Sequence, residues 1–219
     1  ILIDGEDNTN LHFNKNEKII FFKRELTEDK ANVFPINVTI PKRKIAEKLN
    51  FKPRNVLAPL IPHRYKTYIY KNEIDYYNMW KDSLFGVTYV HGGWWEAVRY
   101  YEMLMNGCIP LILDLDKCPK KTLTKLPKDQ LVKIFKDFSW ILNQENPFRI
   151  YKKKFLNFER ISSSLKFLFK KKYDTENLLN EFPEINEYRK VLLEHTKKYL
   201  TTEHIAEYLI STSENFYSK

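Results

Sequence analysis

Apolar positions fall into two regimes along the chain. Up to about residue 125 they come in short runs separated by Pro, Asn, Asp and Lys, the pattern of buried strands and turns. Ile1–Ile3 predicts a buried strand, and Asp4-Gly5-Glu6-Asp7 an acidic turn after it. Lys18–Phe22 is a second run, followed by Lys23-Arg24-Glu25-Leu26. Val33–Ile40 alternates only partly and contains Pro35, which suits an edge strand or an extended loop because proline donates nothing to a ladder. Pro41–Leu49 predicts a short basic helix with proline at its start. Asn55–Ile61 and Thr67–Tyr70 predict strands, parted by Pro62-His63-Arg64-Tyr65. Ile74–Ser83 predicts a helix with Trp80 and one of Tyr76 and Tyr77 inward. Leu84–Val90, Trp94–Asn106 and Cys108–Leu113 then read as strand, helix and strand, the βαβ unit of a parallel sheet. From Leu123 the period becomes 3.6. Asp129–Trp140, Phe148–Lys172, Thr175–Leu179 and Ile185–Ser213 predict helices with Lys-rich outer faces.

The fold class is therefore α/β: a Rossmann-like parallel sheet over residues 1–125, then a helical region, residues 126–219, packing on it. Residues 1–17 are expected to be the remnant of a preceding N-terminal unit, since the chain opens on Ile1 in what reads as the middle of a fold. A hydrophobic fraction of 43% with 15% aromatics supplies a core and argues against disorder. The 37 Lys and Arg against 28 Asp and Glu leave a net charge of +9, which favours anionic partners: nucleotides, nucleic acid or an acidic lipid surface. A Lys-rich composition that serves solubility explains the same number equally well. Two cysteines, Cys108 and Cys118, are too few for a disulfide framework, and Cys108 reads as a buried thiol. No apolar run approaches the roughly 20 residues of a membrane helix, and no signal peptide is evident, so a cytoplasmic, reducing setting is expected. The five histidines (12, 63, 91, 195 and 204) have no metal-ligand spacing.

Three of the five glycines lie in "YVHGGWWEAVRYYEMLMNGCIPLIL", residues 89–113, and Gly86 lies just before it. Gly92-Gly93 falls between a strand and a helix, where glycine permits a tight turn and close approach of a ligand. The helix that follows presents free N–H groups and a positive dipole end, an anion site. A plain strand-to-helix turn explains the glycines without a ligand. Glu96, Arg99 and Glu102, three apart, drift along one side of the helix. They form either a solvated ion-pair ladder or, at the carboxyl end of a parallel strand, part of a ligand site. Arg99 can fork onto phosphate and Glu102 can accept ribose hydroxyls. Asn106-Gly107 predicts a left-handed helix cap.

The run Ser83, Gly92, Gly93, Arg99, Glu102, Gly107, Cys108 and Pro110 resembles the donor-binding segment of GT-B type glycosyltransferases, the exostosin-like branch above all. "FFKREL", residues 21–26, resembles a segment upstream of that motif, and "LPKDQL" and "HTKKYLTTEHIAEYL" suit the closing helices of the same domain. The resemblance covers residues 18–135, with the tail matching weakly. It implies a nucleotide-sugar donor held by Gly92, Gly93, Arg99 and Glu102, with Lys23, Arg24 and Arg64 as further phosphate contacts. A full GT-B enzyme has two Rossmann-like domains, and this chain has room for one and a remnant. The base that deprotonates the acceptor is expected from Asp7, within Asp4-Gly5-Glu6-Asp7, or from His91. The acidic stretch is otherwise a plain turn, and a histidine beside the glycines otherwise a hydrogen-bonded structural residue.

The expected activity is transfer of a sugar to a hydroxyl of a glycan or protein acceptor, with inversion implied by the resemblance, and with no metal and no cofactor besides the nucleotide-diphosphate sugar. Nucleic acid is not the expected partner. The rival reading is a non-catalytic basic α/β module for nucleic acid or a partner protein, resting on the +9 charge and the Lys-rich helices. Trp94-Trp95 offers a stacking platform for base or sugar, at least one of the two being core. The Tyr76-Tyr77 pair reads as a helix face. Lys152–Lys154 and Lys170–Lys172 read as solvated faces, and Asp114-Leu115-Asp116 as a turn and not a metal site.

Overall fold

The computed structural model describes residues 1–10, 18–62, 64–89, 94–143 and 173–218. They form two three-stranded parallel sheets and six α-helices. The first sheet is β1 (Leu2–Asp4), β2 (Phe21–Lys23) and β3 (Val33–Pro35), in that order, with Ile3 beside Phe22 and Phe22 beside Phe34. The second is β4 (Asn55–Leu57), β5 (Ser83–Tyr89) and β6 (Ile109–Leu113), with β5 central. Helix α1 (Glu73–Lys81) joins β4 to β5, and α2 (Val98–Met105) joins β5 to β6. Helices α3 (Lys128–Phe138), α4 (Thr175–Glu181), α5 (Glu184–Tyr199) and α6 (Thr202–Tyr217) follow.

Gly86 fixes how α1 and α2 meet the second sheet. A Cβ there would lie 2.7 Å from Trp80 Cζ3 of α1 and 2.7 Å from Met103 Sδ of α2, so both helices cover the same face. The neighbouring Phe85 points the other way and packs on Phe138 of α3 at 5.7 Å, as the period of two along a strand requires. A sheet covered on both faces is what parallel strands need, and β6 is buried throughout. Helix α2 ends in the expected left-handed cap. Gly107 has φ +72, its N–H bonds Leu104 O at 3.1 Å, and the N–H of Cys108 reaches back to Met103 O at 3.0 Å. The last helix returns to the first sheet: Tyr208 packs edge-on against Phe22 at 5.9 Å and donates to Pro35 O at 3.1 Å.

Several expectations are corrected. β1 forms, but it is exposed, with Ile3 at 59%, because β2 pairs with one edge and no described strand pairs with the other. Val33–Ile40 is as expected: β3 is an edge strand among the described residues and stops at Pro35, beyond which the chain runs on to a bridge between Ile40 and Thr201. Pro41–Leu49 yields only a 3-10 turn at Lys42–Lys44, because the N–H of Ala46 is taken by Met105 O at 2.8 Å. Thr67–Tyr70 is not a strand. A 3-10 turn covers Tyr65–Thr67, locked by the Thr67 hydroxyl, which accepts from Ile61 N at 3.0 Å and donates to Arg64 O at 2.7 Å. Helix α2 begins at Val98 and not at Trp94, because Ala97 is extended, with φ −129 and ψ 134, and interrupts any helix before it. The single helix expected over Ile185–Ser213 is two, broken at Thr201, which is extended and caps α6 by accepting from His204 N at 3.2 Å. The helix expected over Phe148–Lys172 lies outside the described residues.

Candidate functional site

The chain that follows β4, helix α1 and the first turn of α2 meet at a pocket of about 270 Å³ lined by Leu60, Tyr68, Tyr70, Tyr76 and Arg99. Ala97, at the N-cap of α2, has no side chain with which to satisfy the first N–H groups of the helix. Arg99 stands in that first turn. Its guanidinium lies 5.7 Å from the centre of the Tyr68 ring, and its buried Nε has no hydrogen-bond partner among the described residues. One turn on, half-buried Glu102 accepts from the Tyr76 hydroxyl at 2.7 Å, joining α2 to α1. Burial first, and then this carboxylate, push the Tyr76 hydroxyl far up, so it stays a donor. Tyr76 packs edge-on against the buried Trp80 at 5.7 Å, which fixes its ring. The result is a concave site with aromatic walls, a guanidinium with no ionic partner among the described residues, and a helix N-terminus without a side-chain cap. Such a site can hold an anion attached to a planar or ring-shaped body.

A second polar cluster forms a seam between the first sheet and the segment that enters α2. Lys23 is fully buried and pairs with Asp4 at 2.9 Å. Arg24 pairs with Asp7 and lies with its Nε 3.7 Å from Glu96 Oε2. Glu96 is buried and accepts from Val38 N at 2.9 Å, from Asn37 Nδ2 at 3.2 Å and from the Tyr101 hydroxyl. Burial holds its carboxyl above the usual range, and those three bonds and the charge of Arg24 pull the other way. Glu25, also buried, accepts from Trp95 N at 3.0 Å and Glu96 N at 2.7 Å. A cleft of about 370 Å³ opens beside this cluster between the first sheet and α6, its walls including Arg24, Asn37, Thr39, Thr202 and Ile205.

The residues singled out in the sequence thus separate into groups. Arg99 and Glu102 stand one turn apart on α2, Arg99 lining the pocket and Glu102 bonded to its Tyr76. Arg64 is the N-cap of the turn that carries Tyr68. Lys23, Arg24 and Asp7 belong to the seam, each with an ionic partner there. His91, Gly92 and Gly93 lie outside the described residues. Glu96 does not share a helix face with Arg99 and Glu102. It precedes the helix and is buried, which corrects the expected ladder. Trp94 is exposed, and Trp95 packs against the core.

Tyr68, Tyr70 and Tyr76 were not marked as pocket residues by pattern, although Tyr65–Tyr77 is dense in tyrosine. Tyr76, expected to be no more than a helix face, lines the pocket. Asp114 has φ +60 and gives its carboxylate to Lys117 at 2.6 Å. Among the described residues no group of three His, Cys, Asp or Glu is placed to hold a metal, and no helix is long and apolar enough to cross a membrane. Burial pushes both thiols up, Cys118 to about 11, so neither is a ready nucleophile. No family model, curated protein or solved structure matches this chain.

Proposed function

We propose that this chain binds a nucleotide-diphosphate sugar and transfers the sugar to an acceptor hydroxyl, as the resemblance to GT-B type glycosyltransferases implies. One observation carries the reading: Arg99, a cation without an ionic partner among the described residues, lines a tyrosine-walled pocket from the first turn of a helix without a side-chain cap. The diphosphate would rest against that turn and Arg99, which together stabilise the charge that grows on the leaving group. No metal is invoked, because fixed positive groups take that part. Glu102, already oriented by Tyr76, has its second carboxylate oxygen for ribose hydroxyls. The tyrosine walls suit the flat faces of base or sugar.

Asp7, half exposed and paired with Arg24, is the base on this reading, with His91 as its alternative. Lys23 has no part in phosphate binding here, since its ammonium is buried on Asp4.

The test is thermal unfolding with UDP, GDP, ADP, CDP and their sugars, with and without EDTA, on the wild type and Arg99→Ala. A nucleotide at a hundred times its dissociation constant adds about 2.7 kcal/mol. The expected result is stabilisation by one nucleotide, insensitive to EDTA and absent in Arg99→Ala. Stabilisation by none of them would reject the donor site. Salt-sensitive binding to polynucleotides, with no response to nucleoside diphosphates, would favour the basic binding module.

A further inference from the structure

We propose that the stretch Arg64–Ile74 is an interfacial patch that rests on an anionic lipid surface. Tyr65 is 85% exposed, Ile69 69%, Ile74 72% and Tyr68 42%. Four of the thirteen large hydrophobic residues exposed among the described residues thus fall within ten positions, which is a cluster and not the usual scatter. Arg64, Lys66 and Lys71 are interleaved with them, and no acidic residue occurs between residues 64 and 72. Two acids flank Ile74: Glu73 pairs with Lys44, and the Asp75 carboxylate accepts from Asn72 Nδ2 at 2.7 Å, so the three cations leave the stretch basic.

The stretch is held in shape. Thr67 locks the turn by bonding Ile61 and Arg64, Asn72 caps α1 by accepting from Asp75 N at 2.9 Å, and the Arg99 guanidinium backs the Tyr68 ring. Tyr65, Ile69 and Ile74 thus face water from a fixed backbone, with Tyr68, a pocket wall, part-exposed beside them. Tyrosine favours the headgroup level of a bilayer, aliphatic tips gain by entering the acyl boundary, and lysines beside them meet anionic headgroups. A nucleic acid would use the tyrosines and lysines but leave Ile69 and Ile74 in water, and so the aliphatic tips favour lipid. This inference is independent of the sugar-transfer reading.

Co-sedimentation of the full chain with phosphatidylcholine vesicles, with and without phosphatidylserine, tests it. The wild type should pellet with the phosphatidylserine vesicles and much less with the others. Lys66→Glu with Lys71→Glu should lower that partition about tenfold or more, and Ile69→Ser with Ile74→Ser should lower it by a similar factor. Lys190→Glu with Val191→Ser, on an exposed part of α5, should leave it unchanged. Thermal unfolding of each variant reports folding, and the two patch pairs change different residues, so failure of one to fold leaves the other as the test. A wild type that stays in the supernatant, patch variants that pellet like the wild type, or patch-dependent binding to single-stranded RNA in place of vesicles would each overturn the proposal.

Discussion

The carboxylate of Glu25 holds the backbone of Glu96, 71 residues further along, with Oε1 2.7 Å from its N–H. Its other oxygen takes the N–H of Trp95 at 3.0 Å. An exit residue of the first sheet thereby sets where the chain enters α2, and so where Arg99 stands. Glu25 adopts φ +58 to do this, a conformation that costs a residue with a Cβ about 1–2 kcal/mol. Glu25→Ala should destabilise the protein by about 2–4 kcal/mol, since two buried N–H groups lose a charged acceptor. Glu25→Gln should lose roughly half as much, keeping one acceptor. Urea unfolding measures both, and a midpoint for Glu25→Ala equal to the wild type's would show that the bridge does not hold the junction.

Arg189 of α5 is fully buried and is a tie between elements. Nε donates to Gly107 O at 2.7 Å, and Nη1 to Asn50 O at 2.8 Å and Asn186 Oδ1 at 3.0 Å. Burial pushes its pKa down to about 10, so the charge persists at neutral pH. Arg189→Met keeps much of the volume but strands two backbone carbonyls, at a cost on the order of 3 kcal/mol. For a chain of this size the melting temperature should fall by about 6–12 °C. Arg189→Lys should recover little, because an ammonium lacks the planar fork that meets two carbonyls. An unchanged melting temperature in Arg189→Met would remove the residue from this role.

Gly86 and Gly5 make a controlled pair. Gly86→Ala places a Cβ 2.7 Å from both Met103 Sδ and Trp80 Cζ3. The methionine tip can swing away, but the wedged indole cannot, and the substitution should cost about 1–3 kcal/mol. Gly5→Ala meets nothing within 4 Å and should stay within about 0.5 kcal/mol of the wild type. Denaturant midpoints of the two variants decide. Equal values would mean that α1 and α2 do not press on Gly86.

The features legible in the sequence were those set locally. β5, α2, the Gly107 cap and β6 follow from periodicity and one Asn-Gly pair, with most ends within a residue of those expected, while α2 starts four residues late. The late start reflects the extended Ala97, which follows two amides held by Glu25 from a distant part of the chain, and no local pattern registers that contact. Glu96 shows the same limit. Its spacing to Arg99 and Glu102 reads as a helix face, while its partners Asn37, Val38 and Arg24 come from another part of the chain. Arg189 resembled its neighbours on a Lys-rich helix, and only tertiary packing sets it apart. Of the pocket, Arg99 was legible because a cation after a glycine turn has a chemical meaning. Tyr68 and Tyr70 were not, because their stretch was read as a strand.

Glu96 makes stability depend on pH in a direction that can be worked out. An unfolded glutamate titrates near 4.5, and burial raises the folded value above that. Between the two values the folded chain holds a proton that the unfolded chain has lost. The stabilisation is therefore full below about pH 4.5 and is lost as pH rises through the folded pKa. Other carboxylates titrate in the same range, so the informative quantity is the wild-type free energy of unfolding minus that of Glu96→Gln. Glutamine keeps the size and one acceptor for Val38 N but does not ionise. The difference should decline as pH rises from 4.5 and level off above the folded pKa. Urea unfolding of both proteins across that range gives the curve. A difference that grew with pH would mean that the Arg24 charge, with the bonds from Tyr101, Val38 and Asn37, outweighs burial. Glu96 would then be a stabilising ion-pair partner and not an acid held in its disfavoured form.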